Sequence, residues 1–248
     1  MCGRLISTAV FGVLVLVAGP RSLGATSYHP LEVGTEWHYA SDAGETQSTV
    51  ITGTRDVLGV LTAVRHEEVT EADTIEQVFE NFWTCDIDGN LYLHGAINYT
   101  YGFDTAYIPP LRWVQSPLSY GLTWTTADVL MCRLDGTDCW DPFDYSLTVY
   151  SEGNVSVPAG TFYSYGVGQL LPPPALRAPS GHRFDVLGRH LAATERPELP
   201  VTVEWYSEGV GCVQFGSESY PGHIMRLIEW TPSPVRRTTW GGVKSLYR

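Results

Sequence analysis

After residue 26 the chain almost never shows the three-to-four-residue spacing of an amphipathic helix. It runs in short stretches rich in Val, Ile, Thr, Tyr, Phe and Trp, broken by turn residues roughly every ten positions. Turns this short can join only antiparallel neighbours, because a parallel crossover needs a dozen residues or more. Strands are expected at 36–41, 47–56, 60–69, 75–85 and 90–97. Asp86-Ile87-Asp88-Gly89-Asn90 is a hairpin loop whose Asp and Gly supply the turn geometry. About ten to twelve such strands predict an all-β protein, a mostly antiparallel curved sheet or a partly closed barrel.

Two stretches match each other in order. Pro30-Leu31-x-x-Gly34-x-x-Trp37 recurs as Pro117-Leu118-x-x-Gly121-x-x-Trp124. Thr49-Val50 and Gly59 parallel Thr148-Val149 and Gly160, and Trp83-x5-Gly89-x-Leu91 parallels Trp205-x5-Gly211-x-Val213. The body, residues 26–231, therefore reads as two similar β-halves, about 28–116 and 117–231. The second half carries two insertions. One is 130–144, rich in Asp, with Asp135, Asp138, Asp141 and Asp144. The other is 171–200, rich in Pro and Arg and without a strand pattern, in which 184–193 is expected to form a short helix.

The two ends differ from the body. Arg4, an apolar run over 6–18 and a small residue at Ala25 have the form of a secretory signal peptide, expected at 1–25. The run is too short to span a bilayer, so no transmembrane span is expected. Removing 1–25 removes Arg4 and Arg21 and leaves 13 basic against 27 acidic residues, a net −14. A linker and basic tail follow at 232–248. The tail holds Arg236, Arg237, Lys244 and Arg248 and no acid, with Trp240, Val243 and Tyr247 at helical spacing. Without this tail the body holds 9 basic and 27 acidic residues. An acidic body of this kind is no general nucleic-acid binder.

Four cysteines remain in the mature chain, an even count that suggests disulfides in an exported protein. Cys132 and Cys139 flank an Asp-Gly turn that can bring them together. Cys85 and Cys212 are the second expected pair, by elimination. Zinc is the weaker reading, since no C-x-x-C is present.

The opening Tyr28-x-Pro30-Leu31-x-x-Gly34-x-x-Trp37-x-Tyr39 resembles the start of a loose group of exported bacterial β-proteins of unknown function. Their "vPAGtF" hairpin is similar to Val157-Pro158-Ala159-Gly160-Thr161-Phe162, and a Gly-x-Gly strand entry to Gly209-Val210-Gly211. The resemblance implies a fold and an export route, to periplasm, cell surface or exterior, and no reaction. The tail resembles C-terminal tags on other exported bacterial proteins, which implies a sorting role for Trp240, Lys244, Tyr247 and Arg248.

No motif names a chemistry. H-E-x-x-H, G-x-S-x-G and phosphate-cradling glycine loops are missing, and no cofactor is expected. Asp86-x-Asp88-x-Asn90 begins like a calcium loop, but position twelve is Ile97 instead of Glu, so calcium is a weak expectation and no metal site is assigned. The aromatic residues are abundant, 8 Trp, 14 Tyr and 8 Phe. Trp113, Trp140, Tyr99, Tyr101 and Tyr107 stand in loop-like or strand-end stretches and are the candidate ligand-binding residues, for a small apolar or glycan ligand. Three functional readings follow. The first is a non-catalytic exported protein that binds a ligand or an envelope partner on its sheet face. The second is a secreted hydrolase using paired carboxylates or His182, Asp185 and His190. The third is a surface module sorted by its tail.

Overall fold

The computed structural model describes residues 27–169, 176–177, 183–184, 187, 190–191, 202–217 and 221–233. The expected signal peptide and the residues of the basic tail lie outside them. Nine strands follow one another as a meander: β1 (Glu36–Ala40), β2 (Glu45–Val57), β3 (Val60–Glu71), β4 (Thr74–Cys85), β5 (Leu91–Asn98), β6 (Phe103–Val114), β7 (Thr123–Cys132), β8 (Phe143–Val157) and β9 (Gly160–Gln169). A separate small sheet comes next, of β10 (Leu176–Arg177), β11 (Arg183–Phe184) and β12 (His190–Leu191). The meander then resumes with β13 (Thr202–Ser207), β14 (Gly211–Ser217) and β15 (Met225–Thr231). β15 pairs with β1, so twelve strands close into an antiparallel barrel. Closure removes the edge strands that an open sheet would expose. The five strands expected from the sequence in the first half all form, within a few residues of their predicted ends.

Period-two alternation sorts the side chains. On β2, Gln47, Thr49 and Ile51 are buried while Thr46 and Thr52 are exposed. Trp37, Phe79, Trp83, Leu93, Leu111 and Tyr206 fill the interior, each fully buried. Each such side chain contributes roughly 1.5–3 kcal/mol by leaving water. The outer wall carries charge: His66 faces Glu68 and Glu80, and Arg55 approaches Glu80. A membrane-spanning barrel shows the opposite pattern, apolar outside and polar within. Among the described residues no helix is long and apolar enough to cross a membrane.

Because every pairing is antiparallel, successive turns alternate between the two ends of the barrel. The segment before β1, the β6–β7 connection and the β13–β14 turn share one end, where β15 also finishes. Residues 27–31 close that end. Tyr28 packs edge-on to Tyr165, His29 stacks on Trp37, and Gly209 donates its N–H to the Ser27 carbonyl. The two Pro-Leu-x-x-Gly segments do the same local work. Gly34 N–H bonds the Ile51 carbonyl and Ile51 N–H the Thr35 carbonyl. Likewise Gly121 N–H bonds the Val149 carbonyl and Val149 N–H the Leu122 carbonyl. Both glycines hold φ near +80°, at +87° and +79°, a region that penalises any Cβ. Six barrel strands lie on each side of the junction at residues 116 and 117.

The barrel has one weak seam. β14 and β15 pair only at Gln214–Arg226 and Phe215–Met225. Beyond these pairs Trp37 and Tyr39 donate to the Val210 and Cys212 carbonyls, at 2.7 and 2.8 Å. The Val157–Phe162 hairpin packs here too. Ala159 donates to the Leu227 carbonyl, and Val155, Val157 and Phe162 join the cluster around Trp37.

The Cys132–Cys139 disulfide forms as expected. Its loop folds along the outer wall, where Arg133 pairs with Asp104 and Leu134 joins Val57, Val64, Phe82, Ile97 and Ala106 in a small outer core. Two expectations are corrected. Cys85 and Cys212 are free thiols, one exposed at the end of β4 and one buried on β14. Those strands lie on different parts of the barrel wall, and a disulfide needs α-carbons within about 7 Å. In place of the helix expected over 184–193, β11 and β12 pair antiparallel, Phe184 opposite His190.

Candidate functional site in the barrel interior

Polar groups inside a filled barrel must find partners there, because an unpaired one costs several kcal/mol. Arg65 and Glu67 alternate inward from β3 and meet. Arg65 Nη2 and Nε donate to Glu67 Oε1 at 2.7 and 2.8 Å. Asn81 Nδ2 donates to the same oxygen at 2.6 Å, and Gln47 Nε2 donates to Oε2. The Arg65 guanidinium lies over the Trp83 ring, 4.9 Å from its centre. Burial opposes its charge and is the largest single influence, but Glu67, Tyr206 and Glu204 together outweigh it and raise the Arg65 pKa.

Arg65 Nη1 lies 3.5 Å from His29 Nε2. A guanidinium can only donate, so His29 Nε2 is the acceptor and the proton sits on Nδ1, which is buried with no partner among the described residues. Burial, and then the Arg65 charge, push the His29 pKa well below its ordinary value. A second knot forms opposite. Trp113 Nε1 donates to Glu204 Oε2 and to the Tyr206 hydroxyl, both at 2.8 Å, and Tyr206 donates to Glu204. Burial, reinforced by Glu204, raises the Tyr206 and Cys212 pKa values well above normal.

Between the two knots lies a partly open pocket of ≈ 20 Å³, lined by Tyr39, Arg65, Glu67, Glu204, Tyr206 and Cys212 among others. That is room for about one water molecule. Leu187, carried between β11 and β12, is buried against it. Glu67 and Glu204 were not singled out from the sequence. The only signal for them was their position on inward-alternating strand sites, since their shared cavity is a product of closure.

The aromatic residues expected to line one groove are divided. Trp113 and Tyr107 are buried inside the barrel. Tyr99 is exposed on the β5–β6 turn and donates to Glu80, Tyr101 is half-buried against the core, and Trp140 lies on the disulfide loop. The Asp86 carboxylate organises its own turn, accepting from the Asp88 and Asn90 N–H groups, the Asn90 side chain and Tyr92. Among the described residues no three His, Cys, Asp or Glu side chains gather as metal ligands. His182 and Asp185 lie outside the described residues. His190 is placed only through its backbone on β12.

No family model matches the chain, and no curated protein does. Two solved structures are similar in architecture. A candidate exported protein with a YmcC-like fold from Bacteroides fragilis NCTC 9343 is 12% identical, with a TM-score of 0.42, over 84% of this chain and all of its own. A candidate lipoprotein from Parabacteroides distasonis ATCC 8503 is 13% identical, with a TM-score of 0.39, over 84% of this chain and 99% of its own.

Proposed function

We propose that this chain is an exported, non-catalytic β-barrel that binds a ligand or an envelope partner on its outer wall or rim. The observation that carries the reading is the state of the interior. Glu67 takes donors from Arg65, Asn81 and Gln47, Glu204 takes Trp113 and Tyr206, and the space between them holds about one water. Glycoside hydrolysis by paired carboxylates needs room for a sugar ring and a free lone pair on each acid. The space between them lacks that room, which supports reading Glu67 and Glu204 as structural acids. The apolar N-terminal run and the Cys132–Cys139 disulfide support export into an oxidising compartment.

Native mass spectrometry of the mature protein from its own host, with a parallel screen against polysaccharides and esters, tests this. A retained ligand or partner mass and no turnover is the expected result. Turnover that disappears in Glu67→Gln or Glu204→Gln would overturn it.

A further inference from the structure

The barrel end that receives the finish of β15 combines acidic and apolar residues. Its connections are residues 27–35, 58–59, 86–90, 115–122, 158–159, 208–210 and 232–233. They contain Glu32, Asp86, Asp88 and Glu208 and no Lys or Arg of their own, although Arg112 at the end of β6 reaches Gln115 among them. The same rim exposes large apolar side chains: Ile87 is 90% exposed, Tyr120 68%, Tyr163 53% and Val33 46%. Glu152 stands beside them, accepting the Tyr120 N–H. A rim both acidic and apolar fits an occupant both basic and apolar.

The chain supplies one. Its last described residues are tied to this rim, where Ser233 Oγ donates to the Val33 carbonyl at 2.6 Å. From there residues 234–248 continue, with Arg236, Arg237, Lys244 and Arg248, no acid, and an apolar Trp240-Val243-Tyr247 stripe. As a helix this stretch would reach roughly 20 Å. We infer that the basic tail of this chain docks back on the acidic, aromatic rim from which it departs. Arginine and lysine side chains would pair with the rim carboxylates and lie over exposed Tyr rings, and the apolar stripe would cover Ile87 and Val33. Such contacts at the surface weaken with salt, because charges are screened beyond about 8 Å at physiological ionic strength.

Hydrogen-exchange mass spectrometry on the full mature chain tests this through the amides of 236–248. At low salt their exchange should be slowed at least about tenfold relative to the free 15-residue peptide, and the slowing should be lost in about 1 M NaCl. The Glu32→Lys/Glu208→Lys variant should lose it at low salt, with an unchanged melting temperature showing that the barrel still folds. Exchange at the free-peptide rate at both salts would overturn the proposal. So would protection that persists in the double variant, or protection that appears only when anionic vesicles or another protein are added.

Discussion

Arg65 and Glu67 lie two residues apart on one strand, both point into the barrel, and they meet there at 2.7 Å with side chains 11% and 3% exposed. Inside a barrel each charge is tolerable only because the other is present. Losing one partner should therefore cost about 3–5 kcal/mol, while replacing both with apolar residues should cost far less than the sum. Urea denaturation of Arg65→Met, Glu67→Leu and the double variant measures this. Additive losses would show that the pair is not coupled.

His29 sets a pH dependence. Burial and Arg65 hold its folded pKa below the unfolded value of about 6.5, so the unfolded chain binds the proton more readily. Stability from this group is fully present above about pH 6.5 and declines as pH falls below it. His94, lowered by burial, acts in the same sense. In His29→Gln the loss of stability between about pH 7 and 5 should be shallower than in the parent. Equal slopes would mean that His29 carries no linkage.

Gly95 is held by contact and not by its backbone angle. A Cβ there would lie 2.3 Å from the Thr105 carbonyl oxygen and 3.3 Å from Leu134 Cδ1. Gly95→Ala must push β6 or the disulfide loop away from the outer core, at a cost of about 1–3 kcal/mol. Thermal melting reads this directly. A melting temperature equal to the parent's would show that β5 and β6 do not approach this closely at Gly95.

The thiols give a chemical check on the corrected pairing. In the folded mature chain an aromatic disulfide reagent should titrate one thiol, Cys85, and denaturant should reveal a second, Cys212. Two more should appear only after reduction, from Cys132 and Cys139. No free thiol after denaturation would restore the Cys85–Cys212 bond.

Much of this molecule was legible because its signals are local. The strand runs, the Asp86 turn and the Asp-Gly turn inside the Cys132–Cys139 loop each depend on a few neighbouring residues, and all formed. The Gly34 and Gly121 turns were legible as turns from their own residues, although the bonds they make reach one strand further on, to Ile51 of β2 and Val149 of β8. Aromatic residues were harder to place. Trp113 and Trp140 look alike in sequence, yet one is buried among Glu204 and Tyr206 and the other lies on an outer loop.

The sequence by itself determined that the chain is β-structured, that its strands turn back on each other at short intervals, and that alternate residues divide between two faces. These follow from backbone sterics and the period of two, which operate within a strand and its turn. Only the tertiary structure decided that the sheet closes, through β1 on β15, and closure turns one face into an interior. That step brought Glu67 and Glu204 to one cavity and kept Cys85 from Cys212. It rests on pairing between residues nearly two hundred positions apart, Trp37 with Trp230 among them, and no local pattern encodes such a contact.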